Sequence, residues 1–204
     1  MSNYTPLDQI SIDILSELGN VGTVNAVTSL SQMTGHSLEI ELPKVEIVKY
    51  QDIDRILGEA EELQTGIMVQ VAGKLKGMFL FLLSETFTQS ILQAVLGGVN
   101  RDLTDLDEMD RSLICELGNI MCGSYIRALS QLLDMDMDVT VPEMCIDMGG
   151  AILSVPLSRF LKVSENILLI ENKFRMGNRS FLGRILFLPE LESLEAILSS
   201  IRES

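Results

Sequence analysis

The sequence predicts an α+β protein made of two pseudo-symmetric halves, each a long helix followed by paired strands, forming antiparallel sheet covered by the long helices. Three observations predict it. A polar pattern, Asp13, Glu17, Asn20 and then Pro43, returns 99 residues later as Ser112, Glu116, Asn119 and Pro142. The tetrapeptide Glu-Leu-Gly-Asn and the tripeptide Leu-Ser-Gln (Leu30 to Gln32, Leu129 to Gln131) recur in the same register, so the repeat is not a chance match of one short motif. The order helix, extended segment, paired strands, helix can be read twice, which favours segregated helices and antiparallel pairing over a wound βαβ sheet.

Leu7 to Met33 contains no proline, and Ile10, Ile14, Leu18, Val21, Ala26 and Leu30 fall near helical spacing. Gly19 and Gly22 weaken this helix locally, and Gly35 is placed to stop it. Leu38 to Tyr50 alternates around Pro43 and reads as extended. Gly66 to Ala72 and Gly77 to Leu83 read as strands joined by a tight turn over Gly73 to Lys76. Glu85 to Leu96 is helical in period and ends at Gly97-Gly98. Asn100 to Asp107 joins the halves. The second half then gives a long helix over Asp107 to Leu133 and an extended stretch over Asp136 to Asp147 around Pro142. Strands follow at Ile167 to Phe174 and Ser180 to Leu188, joined across Met176 to Arg179, and a closing helix at Glu190 to Ile201. The expected organisation is a single unit over 1–204 holding two repeats, about 7–99 and 106–204.

At 204 residues and 47% hydrophobic, the chain can bury a proper core. Met78 to Leu83, its longest strongly apolar run, is far too short to span a bilayer, and the N-terminus lacks the charge and apolar run of a signal peptide. A cytoplasmic protein with no membrane insertion is expected. Cys115, Cys122 and Cys145 form no even framework and no Cys-x-x-Cys pair, so reduced thiols are expected. His36 is the only histidine, which leaves little material for a histidine metal site or a Ser-His pair. A net charge of -14, no basic stripe and no tryptophan argue against nucleic acid and anionic membrane as partners. The acidic surface suits a chain that meets other proteins.

On a helix, positions i, i+4 and i+7 lie within about 60° of one another. Asp13, Glu17 and Asn20 therefore share one polar strip, as do Ser112, Glu116 and Asn119. A solvated helix face is the plain reading of one such strip. Two strips that keep Glu and Asn while many flanking positions differ shift the weight toward a working site. Neither strip holds a carboxylate pair suited to glycoside hydrolysis or a nucleophile with its base. An asparagine amide, however, can accept a hydrogen bond from water while donating another. Near a phosphoryl group it can hold water in line for attack without adding negative charge, as a glutamine amide does in small GTPases. A glutamate one turn away can clamp a partner's lysine.

Asp/Ser-x3-Glu-x2-Asn followed by 22 residues and a proline resembles the signature of the CheC/CheX/FliY family of chemotaxis phosphatases. The likeness runs through both halves, including Gly123-Ser124-Tyr125 and the stretch from Ile146 to Leu153, and the doubled site resembles the CheC-type members. FliY-like members append a flagellar-switch domain after two sites, and no such domain is expected here after Ser204. The resemblance implies an enzyme that accelerates hydrolysis of the phosphoaspartate of CheY, the chemotaxis response regulator. It places Glu17 and Glu116 in contact with the regulator and Asn20 and Asn119 at the attacking water, with Asp13 and Ser112 in support. It implies no cofactor on this chain, with Mg2+ carried by the regulator. It further implies the deamidase CheD as a partner, for which Asp147 and the segment after it are the candidate contact; an ordinary solvent-facing acid at a strand end is the alternative there. The alternative function is a non-catalytic adaptor for CheY, CheD or flagellar-switch components.

Overall fold

The structure is a computed structural model, described for residues 9–41, 44–49, 52, 62–98, 101–160, 166–190, 192, 193, 195–197 and 199. Its elements in chain order are α1 (Gln9–Thr34), β1 (Leu38–Ile40), β2 (Lys44–Lys49), β3 (Leu63–Gly73), β4 (Gly77–Ser84), α2 (Glu85–Leu96), α3 (Glu108–Leu133), β5 (Met137–Val139), β6 (Glu143–Met148), α4 (Gly149–Phe160), β7 (Asn166–Met176) and β8 (Arg179–Pro189). A short 3-10 turn, Leu103–Asp105, lies in the join between the halves. Near the C-terminus the described residues 192, 193, 195–197 and 199 are helical. Pro43 and Tyr50, the centre and end of the first expected extended stretch, lie outside the described residues, as do Leu7 and Asp8.

The eight strands form one antiparallel sheet in the order β1-β7-β8-β4-β3-β5, with β2 also pairing β7 and β6 also pairing β3. The halves exchange strands: β1 and β2 add to the β7–β8 hairpin, whereas β5 and β6 add to the β3–β4 hairpin. The seam is β4 against β8, from Gly77 opposite Pro189 to Leu83 opposite Gly183. Neither half could complete this sheet alone.

Local chemistry explains where the elements begin and end. The Ser84 hydroxyl accepts from Phe87 N at 3.3 Å and caps α2, which ends at Gly97 with φ 71°. Asp107 caps α3 reciprocally with Asp110: Asp107 Oδ1 accepts from Asp110 N at 2.8 Å, and Asp107 N donates to Asp110 Oδ2 at 3.3 Å. Arg101 Nε lies 2.6 Å from Asp110 Oδ1, close enough to pair in charge but off the hydrogen-bonding axis, and ties the join to this helix start. Both long helices end on a left-handed residue at the same point of the repeat, Gly35 (φ 66°) and Asp134 (φ 49°).

Core residues lie on both faces of the sheet. The larger core sits under α1, α2 and α3 and holds Leu30, Ile67, Phe79, Phe81, Phe87, Leu117, Tyr125, Ile170, Phe174 and Phe187. Phe79 stacks on Phe187 at 4.6 Å between centroids, and Phe87 on Phe174 at 5.1 Å. The opposite face buries Met78, Leu80, Leu82, Leu186 and Leu188 beneath Ile152 and Leu153 of α4. Helix α4 is absent from the sequence reading, because Gly149-Gly150 at its start and Pro156 within it conceal its period. Its need was written in β4, which is buried at every position from Gly77 to Leu83; a strand without polar alternation requires cover on both sides. Among the described residues no helix is long and apolar enough to cross a membrane.

Candidate functional site

The two polar strips lie on α1 and α3, which pack against each other on the same face of the sheet. The glycine inside each Glu-Leu-Gly-Asn sets the direction of the strip. A Cβ at Gly118 would stand 2.4 Å from Ile67 Cγ2 of β3, and one at Gly19 would stand 2.7 Å from Val45 Cγ2 of β2, with Ile170 of β7 next. These glycines press helix backbone onto strands. The close approach between the two helices is made instead at Gly22, where a Cβ would meet the Tyr125 ring at 2.5 Å. With Gly118 and the fully buried Leu117 turned to the sheet, the ~100° step per residue carries Glu116 and Asn119 to the far side.

Glu17, Glu116 and Asn119 are exposed and Asn20 is half-buried. Asp13 and Ser112 are exposed one turn before each glutamate. Within each strip the amide meets the acid: Asn20 Nδ2 donates to Glu17 Oε2 at 3.5 Å, and Asn119 Nδ2 donates to Glu116 Oε2 at 3.2 Å. An ionised carboxylate only accepts, so each asparagine must turn its NH2 toward the glutamate. The other end of each amide, Oδ1, is a hydrogen-bond acceptor. Asp147 stands apart, exposed at the end of β6, where its Oδ1 accepts from Met148 N at 2.8 Å and its backbone pairs with Gln64. The neighbouring Met148 is also exposed.

The CheC-like family model matches residues 10–47 and 109–146, so each match spans one long helix and the two short strands after it. The CheY-P phosphatase CheC of Bacillus subtilis is 27% identical over 208 residues, covering all of both chains. The chain is therefore similar to CheC-like proteins in both halves. Among solved structures, Thermotoga maritima FliY superposes with a TM-score of 0.75 at 21% identity, over 98% of this chain and 99% of that one. The FliM middle domain from H. pylori gives 0.69 at 11% identity, over 95% and 99%. The chain thus shares its fold with FliY and with the FliM middle domain.

One feature of the core escaped the sequence reading. Thr23 of α1 donates to Asn172 Oδ1 of β7 at 2.9 Å, and the Tyr125 hydroxyl of α3 donates to Thr23 Oγ1. All three are buried, and Asn172 Nδ2 makes no hydrogen bond among the described residues. The network pins both site helices to the sheet one turn beyond Asn20. A tyrosine inside the repeated helix was the available signal, but its partners come from a distant helix and strand.

Burial raises the Tyr125 hydroxyl from an ordinary 10 to about 12, against the opposing pull of its hydrogen bonds, and raises the Cys122 thiol from 9 to about 12. Both are acids kept protonated by the fold, so above their ordinary values the unfolded chain has lost protons that the folded chain still holds. Their contribution is complete below about pH 9 and declines as pH climbs toward 12, by up to ~1.4 kcal/mol per pH unit for each group. A urea midpoint measured across this range should fall steadily. Tyr125→Phe should flatten the fall between pH 10 and 12; an unchanged slope would mean that Tyr125 ionises freely.

Proposed function

We propose that this chain accelerates hydrolysis of the phosphoaspartate of a CheY-type response regulator, using two Glu/Asn sites. The observation that carries the reading is the pairing within each strip, where the carboxylate accepts from the amide NH2 and so leaves the acceptor Oδ1 for a water. The full-length likeness to a CheY-P phosphatase supports it. Asn20 or Asn119 reaches the phosphoryl group and accepts a hydrogen bond from a water, aiming its free lone pair at phosphorus. The water oxygen bonds to phosphorus, the bond to the aspartyl oxygen breaks, and its electron pair leaves with the carboxylate. The water's proton passes to the phosphate released. Asparagine is not a base, so the amide contributes position, the dominant need of phosphoryl transfer. Glu17 and Glu116 contact a cationic group of the regulator, Asp13 and Ser112 assist, and the Mg2+ belongs to the regulator.

Phosphate release from a regulator charged with acetyl phosphate and magnesium tests this directly; no acceleration by the intact chain would defeat it. Replacing Glu17 and Glu116 together by alanine should raise KM about tenfold or more, the cost of a charge-assisted contact at each site. If charge is what matters, glutamine in their place restores little; if glutamine restores full binding, packing is the cause.

CheD is the second proposed partner, contacted through Asp147 and the segment after it. The adaptor reading draws on the FliM likeness in fold. Two intact Glu/Asn pairs favour catalysis, because docking alone does not need an amide oriented by a neighbouring carboxylate.

A further inference from the structure

The two sites differ one turn beyond their asparagines. In α3 the strip continues from Asn119 through Gly123 to Arg127, since residues four apart lie on one face. A Cβ at Gly123 would stand 3.5 Å from Arg127 Nη1, so the guanidinium folds back over bare backbone toward Asn119. Its Nη2 donates to Ser124 Oγ at 3.4 Å, and among the described residues no carboxylate pairs with it. The charge therefore sits about 6 Å along the helix axis from the Asn119 level. In α1 the same places hold Val24, 58% exposed, and Thr28, also exposed. An isopropyl group stands beside the first amide where a cation stands beside the second.

We infer that Arg127 is a specificity-determining residue that makes the α3 site the charge-steered one, selecting a protein surface whose phosphoaspartate is flanked by negative charge. The inference rests on the phosphatase reading above. A phosphoryl group carries charge toward which an exposed guanidinium steers its bearer, and the chain's net charge of -14 otherwise opposes that approach. The α1 site has no such attraction at that position and must hold the same partner by its glutamate and by contact with Val21 and Val24. Arg127 lies too far from Asn119 to touch the water, so its effect falls on association.

The test uses two single-site proteins, Asn20→Ala, which leaves the α3 site, and Asn119→Ala, which leaves the α1 site. Each is made with Arg127 intact and as Arg127→Gln. Dephosphorylation of the charged regulator is followed at about 0.05 M and about 0.5 M salt, conditions that weaken and then strongly screen surface charge. In the α3-site protein, Arg127→Gln should raise KM roughly three- to fivefold at low salt with kcat held, the scale of one exposed ion pair. The difference should vanish at high salt, Arg127→Lys should recover most of it, and the α1-site protein should be indifferent. Equal effects in both single-site proteins, a loss confined to kcat, or no effect at all would overturn the assignment while leaving the amide mechanism in place. If neither single-site protein nor the intact chain accelerates hydrolysis, the phosphatase reading falls and the role of Arg127 falls with it.

Discussion

Alanine at both Asn20 and Asn119 should return phosphoregulator hydrolysis to its unaided rate, a loss of about 100-fold or more in the stimulated reaction, which is what misplacing a reactant by about 1 Å can cost. Each single variant should keep the share of the intact site. The fold should not suffer, since Asn119 is exposed and Asn20 half-buried; substitutions in such places change stability by about 0.5 kcal/mol or less. The aspartate variants discriminate further. Asn119→Asp has the shape of the native residue, yet it removes the NH2 that donates to Glu116 at 3.2 Å and sets two carboxylates against each other. It also brings negative charge to the phosphoryl oxygens. In an Asn20→Ala background, Asn119→Asp should therefore be at least as inactive as Asn119→Ala. Hydrolysis at the native rate with aspartate there would mean that the side chain works as a base or as a docking contact, and the water-positioning role would be lost. Phosphate release, with circular dichroism as the check on folding, decides between these outcomes.

The legible part of this molecule was whatever repeats or alternates along the chain. The long helices, β3, β4, α2, β7 and β8 fall within a few residues of their expected places because hydrophobic period and glycine stops mark them locally. The strand exchange was not legible. Pairing of β2 with β7, or of β6 with β3, joins segments more than a hundred or some eighty residues apart, and no local pattern records it. Helix α4 was missed for the opposite reason: its glycines and Pro156 speak against a helix locally, while the apolar β4 beneath it demands one. Of the candidate site, the strips themselves could be read from spacing. The direction they face could not, because it depends on what Gly19 and Gly118 touch. Arg127 was invisible as a site neighbour until its side chain was seen folded over Gly123.

Two glycines of α3, five residues apart, should respond to substitution with opposite signs. In a helix alanine is favoured over glycine by about 1 kcal/mol, so propensity alone would make either replacement stabilising. At Gly123 nothing opposes the gain: the new Cβ would meet only Arg127 Nη1 at 3.5 Å, ordinary contact with the movable end of a long side chain. At Gly118 the new Cβ would lie 2.4 Å from Ile67 Cγ2, a branch fixed to the Cβ of a fully buried residue, with Pro142 Cβ at 3.5 Å beside it. Neither neighbour can swing away, so helix and strand must separate, at about 1–3 kcal/mol for such overpacking and more for a larger side chain. Gly118→Ala should lower the urea midpoint modestly and Gly118→Val severely, while Gly123→Ala should raise it. Ile67→Ala removes the clashing methyl along with good packing. Combined with Gly118→Val it should therefore cost less than the two changes summed, a coupling that a double-mutant cycle reads directly. Because lifting α3 also displaces Asn119, the surviving fold of Gly118→Ala should lose activity at the α3 site while the α1 site, seated over Val45 and Ile170, continues to work. A Gly118 variant as stable as the native chain would show that the helix does not rest on β3, and the outward aim of Glu116 and Asn119 would lose its structural cause.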